Sequence, residues 1–182
     1  HCLPNNIMKR AKDFFIRLYG FLKHRYAPRG ARFTFSQCGE DAIMCELLGR
    51  FGIARPSYID IGAHHPIFGN NTYLLYLQGG SGIVVEPNAV FCKLGARKRP
   101  RDICIAAGAG ETDGTAAFYA FSQNTRSTFL SEQAEQWEKT SGQKPVISTI
   151  PLLSLDTIIK RYGETRKPDV LAIDAEGFDV KI

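Results

Sequence analysis

Several features that would assign this chain to a class of protein are missing from its sequence. No apolar run approaches the ~18 residues that a membrane-spanning helix requires, and there is no internal repeat or low-complexity tract. The five cysteines are scattered and form no C-x-x-C pair, which disfavours a zinc site or a disulfide framework. They predict free thiols in a reducing, cytoplasmic compartment, and we predict no metal. These cysteines are Cys2, Cys38, Cys45, Cys92 and Cys104.

Basic charge is concentrated at the start of the chain. The net charge is +5 overall, and residues 1–32 carry +7 whereas residues 33–182 carry −2. Arg17 and Lys23 interrupt any apolar core of a secretory signal. Within this segment, apolar residues recur at helical spacing and predict an amphipathic helix over residues 7–26. Two interpretations stay open, peripheral contact with an anionic membrane or packing on its own domain. The apolar residues are Phe14, Phe15, Leu18, Phe21 and Leu22.

A βαβ unit is predicted in the middle of the chain. Residues 58–61 and 83–85 are short apolar runs, typical of buried parallel strands, and residues 72–78 carry the helix between them. Asp60 and Glu86 stand at the carboxyl ends of the two strands. Ligands of open α/β sheets bind in the crevice outside these ends. We therefore expect both acids to face a ligand, with Glu86 placed to bind two ribose hydroxyls.

The loop after the first predicted strand discriminates between two classes of cofactor. A dinucleotide site requires G-x-G-x-x-G, so that the backbone can approach a pyrophosphate. Here the three positions are Gly62, His64 and Ile67, and His65 and Pro66 further obstruct a phosphate. S-adenosylmethionine has no phosphate and carries a positive charge, which suits an acidic site. A nicotinamide-dependent oxidoreductase is therefore disfavoured.

A helix is predicted just before this unit. Ser36 is placed as its N-cap, with Glu40 and Asp41 in the first turn, where the helix dipole favours acids. One interpretation is a well-capped structural helix. The other gives Gln37 or Asp41 a place at the ligand, because the helix leads directly into the first strand.

A basic cluster follows the second strand, at the end of a helix predicted over residues 88–98. No aromatic residues interleave with it, as a nucleic-acid platform would require. We therefore interpret it as a solvated helix face and expect no nucleic-acid partner. The cluster comprises Lys93, Arg97, Lys98, Arg99 and Arg101.

The last third of the chain predicts further strands. Residues 102–107 form a third strand, and residues 146–153 are apolar but contain Pro151, which favours an edge strand or a strand end. Residues 169–173 form another buried strand. It is followed by Asp174 and Glu176, again acids at a carboxyl strand end.

Five short motifs in this order resemble the FkbM family of methyltransferases. Each motif alone has little specificity, but the order and approximate spacing match over about residues 33–180. The motifs are Ser36-Gln37…Gly39-Glu40-Asp41, Asp60-Ile61-Gly62-Ala63, Val85-Glu86-Pro87-Asn88, Leu153-Ser154-Leu155-Asp156-Thr157 and Ile173-Asp174-Ala175-Glu176-Gly177.

The resemblance implies a fold and an activity. It implies a class I, Rossmann-like, three-layer α/β methyltransferase with a mostly parallel sheet, over residues 33–182, after the basic segment 1–32. Family members bind S-adenosylmethionine and mostly methylate hydroxyl oxygens of sugars, glycolipids and polyketides. That fold continues for several more strands, so we expect the chain to be incomplete after Ile182. A truncated or non-catalytic cofactor-binding remnant remains an alternative, and no oligomeric state is predicted.

The resemblance also implies roles for individual residues. Glu86 would bind the ribose, whereas Asp174 and Glu176 would face the cofactor and the acceptor. A hydroxyl needs a general base, for which we rank Asp174 first and His65 second, with Glu176 as a further candidate. The predicted cofactor-binding set is Gln37, Asp60, Gly62, Ala63, Glu86, Pro87 and Asp174.

Overall fold

The computed structural model describes residues 33–121, 127–162 and 167–175. The helix predicted over residues 7–26 lies outside them, as does Glu176. The helices are α1 (Glu40–Arg50), α2 (Tyr73–Leu77), α3 (Ala89–Lys98), α4 (Ser131–Ser141) and α5 (Leu155–Tyr162). The strands are β1 (Ser57–Ile61), β2 (Ser81–Val85), β3 (Ile103–Ile105), β4 (Gly108–Ala109), β5 (Gly114–Ala120), β6 (Ser127–Thr128), β7 (Val146–Leu153) and β8 (Val170–Ile173).

The first sheet is parallel and has the strand order β3-β2-β1-β8. Ile59 of β1 pairs with Ile83 of β2 on one side and with Leu171 of β8 on the other. The α/β fold with a parallel sheet, expected from the short apolar runs, is confirmed. Because all four strands run the same way, their carboxyl ends meet at one edge.

Helices cover both faces of this sheet. Since successive side chains of β1 point to opposite faces, the strand contributes to a core on each side. Ile59 belongs to a core that includes Ile158 of α5. Tyr58 belongs to a second core that includes Leu75 of α2. Asp60 is two residues from Tyr58 along the strand and therefore shares its face. This alternation directs the Asp60 carboxylate towards the layer that contains α2.

The second sheet has the order β4-β7-β5-β6 and holds antiparallel pairs. Of the two alternatives for Pro151, the edge strand is wrong, since β7 lies between β4 and β5, whereas Pro151 does lie near the end of its strand. Proline is tolerated there because β4 pairs only with Leu152 and Leu153. Within the described residues, Pro151 pairs only with Thr115 of β5. Its missing N–H therefore interrupts no hydrogen bonds between β7 and β4.

Two further boundaries differ from the prediction. The strand expected over residues 102–107 is shorter, since β3 spans only Ile103–Ile105, and the next strand, β4 (Gly108–Ala109), begins after the predicted range and joins the second sheet. Helix α1 begins after Gly39, whose φ of 91° gives it a left-handed conformation, and not after Ser36. The Ser36 hydroxyl accepts instead from the N–H of Gly39. No helix among the described residues is both long and apolar enough to cross a membrane.

Candidate functional site

A cavity of about 460 Å³ lies at the carboxyl ends of β1, β2 and β8. Its volume is within the range of small-molecule sites, about 300–1,000 Å³. The structure brings together all the residues proposed to bind the cofactor, and His65 also lines the cavity, whereas Glu176 lies outside the described residues. The lining includes Gln37, Asp60, Gly62, Ala63, His65, Glu86, Pro87 and Asp174.

Glu86 is held rigidly at the end of β2. Its Oε2 accepts from the N–H of His64 at 2.6 Å and its Oε1 from the N–H of Asn88 at 2.7 Å. Burial raises the pKa of this carboxyl, although the two backbone hydrogen bonds act against that rise. Each oxygen retains a further lone pair. The pair of oxygens is therefore aimed and preorganised to accept two more hydrogen bonds from the cavity.

Asp60 is the second buried acid of the cavity. Its Oδ2 accepts from the Thr72 hydroxyl at 2.5 Å and lies 3.4 Å from the Asn70 amide nitrogen. Burial raises the pKa of Asp60, and the guanidinium of Arg99 opposes that rise. The site therefore holds two partly desolvated carboxyls that a cationic ligand would stabilise in their charged forms.

Gly62 and Asp174 bring β1 and β8 together at the cavity. The N–H of Asp174 donates to the carbonyl oxygen of Ile61 at 2.9 Å, which extends the pairing past the end of β8. Gly62 has a φ of 76°, a value that side-chain-bearing residues rarely adopt. A Cβ there would also overlap with the carbonyl oxygen of Asp174. Glycine at 62 is therefore required both by conformation and by space.

The two histidines pack in the loop and also face the cavity. Nδ1 of His65 accepts from the N–H groups of Ile67 and Phe68, at 3.2 and 3.1 Å. The ring of His64 lies 4.5 Å from that of Phe91 on α3. Burial lowers the pKa of His65. Because Nδ1 is an acceptor, the neutral imidazole carries its hydrogen on Nε2, so His65 is arranged to donate a hydrogen bond.

Asp41 is a structural clamp and does not line the cavity. This fully buried carboxylate accepts from the Thr34 hydroxyl at 2.5 Å and from the N–H of Phe35 at 2.7 Å. It also accepts from the Ser36 hydroxyl and from the N–H of Ala42. Burial disfavours the charge, but these hydrogen bonds outweigh it and lower the pKa. Gln37 and Asp41 were alternative candidates for ligand contact, and only Gln37, in the clamped segment, lines the cavity.

An apolar wall from the second sheet completes the lining of the cavity, and no sequence pattern indicated its two phenylalanines. The rings of Phe118 on β5 and Phe129 after β6 lie 5.1 Å apart. Gly108 of β4 permits this packing, since a Cβ there would overlap with Phe129. Ser127 and Thr128 add hydroxyls to the same wall. Only the long-range pairing of β7 with β5 and β4 brings these residues to the cavity.

The basic cluster is not a uniformly solvated face. Arg99 is fully buried, and its Nε donates to Asp102 at 2.6 Å. The expectation of solvation is therefore wrong for Arg99, because its guanidinium replaces water with protein acceptors. No signal in the sequence distinguished it from its exposed neighbours Arg97 and Lys98.

Comparison with known protein families gives a match over most of the chain. Residues 60–182 match a family model described as Methyltransferase FkbM domain. The matched range begins within β1 and contains every residue that lines the cavity except Gln37. No curated protein and no solved structure gives a significant match to the chain.

Proposed function

The chain belongs to the FkbM methyltransferase family, and from that premise we propose that it transfers the methyl group of S-adenosylmethionine to a hydroxyl oxygen. The acceptor class is a sugar, a glycolipid or a polyketide-type small molecule. When bound, this cofactor supplies a methyl group on a positively charged sulfur.

The observation that carries the proposal is the paired anchoring of Glu86. Two backbone N–H groups fix its oxygens at the carboxyl end of β2, the position from which an α/β sheet binds a ribose. A fixed carboxylate can accept from both hydroxyls of a ribose without losing side-chain entropy on binding. The two acceptor oxygens of Glu86 thus fit the ribose of an adenosyl group.

The carboxyls of Asp60 and Glu86 together fit a ligand that carries positive charge. Asp60 lines the same cavity as Glu86, and neither carboxyl forms a hydrogen-bonded ion pair there among the described residues. The loop after β1 offers no run of bare glycine amides for a pyrophosphate. These features support S-adenosylmethionine over a nicotinamide dinucleotide.

Asp174 is our choice for the general base. It lines the cavity at the end of β8 and is exposed within it, so an acceptor hydroxyl can reach it. As the new C–O bond forms and the bond between the methyl carbon and the cofactor's sulfur breaks, leaving a neutral thioether, Asp174 would take the proton that leaves the acceptor oxygen. His65 acts instead as a hydrogen-bond donor through Nε2, because its Nδ1 already accepts from the backbone.

The apolar wall supports an acceptor that carries an apolar part. Phe118 and Phe129 can bury such a group while the acids bind the polar cofactor on the opposite side. This arrangement favours a glycolipid or polyketide-type acceptor over a free sugar.

Isothermal titration calorimetry with S-adenosylmethionine and NAD in parallel tests the proposal. We expect binding of S-adenosylmethionine and none of NAD. Transfer of labelled methyl groups to a panel of hydroxylated acceptors then tests catalysis. Binding without any transfer would favour a cofactor-binding remnant, and binding of NAD alone would favour an oxidoreductase.

A further inference from the structure

We propose that Arg99, which does not line the cavity, is a positioning residue that holds Asp60 as a charged acceptor for the cofactor. The inference rests on the proposed function and adds a specific residue to it. Arg99 lies directly after α3, and its side chain is fully buried.

The guanidinium of Arg99 contacts two side chains that in turn contact Asp60. Its Nη1 donates to Asn70 Oδ1 at 2.9 Å and its Nη2 donates to Thr72 Oγ1 at 2.8 Å. Both of these residues are fully buried, with at most 1% of their surface exposed. The Thr72 hydroxyl then reaches Asp60 Oδ2 at 2.5 Å, and the Asn70 amide nitrogen reaches it at 3.4 Å.

The chemistry of arginine fixes the direction of both relays. A guanidinium has only donors, so Asn70 must present its oxygen to Arg99 and its NH₂ group to Asp60. For the same reason the Thr72 hydroxyl accepts from Arg99 and is left to donate to Asp60. The two relays converge on Oδ2 of Asp60, so Oδ1 is the oxygen that can accept from a bound ligand.

Two other contacts hold Arg99 itself. Asp102 accepts from its Nε at 2.6 Å, and Nη2 donates to the hydroxyl of Tyr58 at 3.0 Å. Tyr58 also donates to Asp102 at 2.8 Å. These contacts fix the guanidinium in place while its other donors bind Asn70 and Thr72. Thr72 uses its hydroxyl for this relay even though it precedes α2, where it could cap the helix.

The consequence is electrostatic, and it involves every charged group near Asp60. Arg99 favours the ionised form of Asp60, whereas burial and Asp102 oppose it. Glu86, Asp174 and His64 line the cavity around it. Without the relay, Asp60 would be protonated at a higher pH and would lose its charge for the cofactor.

The test uses Thr72→Val, which removes the relaying hydroxyl and keeps the shape of the side chain. Thr72→Ser restores the hydroxyl. Thr157→Val is the matched control, because the Thr157 hydroxyl also donates to a carboxylate, that of Asp113 at 2.8 Å, away from the cavity. The titration of Asp60 is followed by NMR of ¹³C-labelled aspartate in the ligand-free protein, and S-adenosylmethionine affinity is followed by calorimetry against pH.

We expect Thr72→Val to raise the titration midpoint of Asp60 by about one pH unit, which is about tenfold in proton affinity. The acid-side loss of S-adenosylmethionine binding should move upward with it. Thr72→Ser and Thr157→Val should behave as the wild type. Arg99→Lys keeps the positive charge but lacks the two Nη groups that reach Asn70 and Thr72. It should raise the titration midpoint of Asp60 as well, and combining it with Thr72→Val should raise that midpoint little further.

An unchanged Asp60 midpoint in folded Thr72→Val would overturn the inference, as would an unchanged midpoint in folded Arg99→Lys. The NMR readout needs no ligand, so it separates the two proposals. If the midpoint shifts but the wild type binds no S-adenosylmethionine, the relay stands and the proposed function fails. If the cofactor binds and the midpoint stays, only the relay fails.

Discussion

The carbonyl oxygen of Asp174 lies in the space that a side chain at Gly62 would occupy. This contact joins the loop after β1, which faces the cofactor region, to the end of β8, which carries the proposed base. The position of the Asp174 backbone therefore depends on residue 62 having no side chain.

Replacing Gly62 with alanine should separate these two elements. The Cβ would overlap with the Asp174 carbonyl, and the φ of 76° would add backbone strain of about 1–3 kcal/mol. We expect a loss of stability of at least this size and a fall of at least about tenfold in S-adenosylmethionine affinity. Chemical denaturation and calorimetry measure the two effects.

Gly142→Ala serves as the control for Gly62→Ala. Gly142 has a φ of 68° at the end of α4, and a Cβ there meets open space. It should show the cost of strain alone and leave cofactor affinity unchanged. If both substitutions weakened S-adenosylmethionine binding equally, the overlap with Asp174 would not be the cause of the weaker binding.

Glu86→Gln should weaken cofactor binding by about 2–4 kcal/mol, since charge-assisted hydrogen bonds to two ribose hydroxyls are lost. The ribose is common to S-adenosylmethionine and S-adenosylhomocysteine, so the loss should be similar for both in calorimetry. Glu111→Gln, on the exposed surface, is the matched control. A loss confined to S-adenosylmethionine would mean that Glu86 senses the sulfonium and not the ribose.

The sequence predicted the parallel half of the site and missed the rest for a physical reason. Asp60, Glu86 and Asp174 each follow a short apolar run, so local pattern alone places them at strand ends. Arg99 has the same local context as exposed basic residues, and apart from Asp102 its acceptors lie 27 to 41 residues away along the chain, at Tyr58, Asn70 and Thr72. Phe118 likewise reaches the cavity only through the pairing of β5 with β7, which no local periodicity encodes.

Asp41→Asn should destabilise the fold by about 3 kcal/mol at neutral pH, because an amide cannot accept all the hydrogen bonds of the carboxylate and leaves donors unpaired. The pKa of Asp41 is lowered in the folded state. Its contribution is therefore present above the pKa of the unfolded chain and is lost as the pH falls through the folded-state pKa. The stability gap between wild type and variant, measured in urea, should close in acid.

Asp156→Asn provides the comparison for Asp41→Asn. Asp156 also lies in the first turn of a helix, α5, but it is exposed. Its substitution should change stability by well under about 1 kcal/mol, apart from a small helix-dipole contribution. A pH-independent gap for Asp41→Asn would show that its charge is not what stabilises the segment carrying Gln37.

Asp174→Asn should abolish most methyl transfer and change S-adenosylmethionine affinity only slightly, because a base acts in the transition state. Labelled methyl transfer and calorimetry separate these effects. Asp169→Asn is the control at the other end of the same strand, where Asp169 accepts from Ser57. It should lower stability and keep turnover. Turnover close to wild type in Asp174→Asn would reassign the base to another group, with Glu176 the next candidate.

The two walls of the cavity come from different sheets. Acids at the ends of β1, β2 and β8 form one wall, and the segment from β4 to β7 supplies Phe118 and Phe129 to the other. If the proposed function holds, we expect substitutions of Phe118 and Phe129 to alter acceptor choice while the acids that bind the methyl donor are kept. Under the proposed function, we therefore expect diversification of acceptors among family members to concentrate at positions such as Phe118 and Phe129, and not at Ala109, which also lines the cavity but is buried in the core against the first sheet.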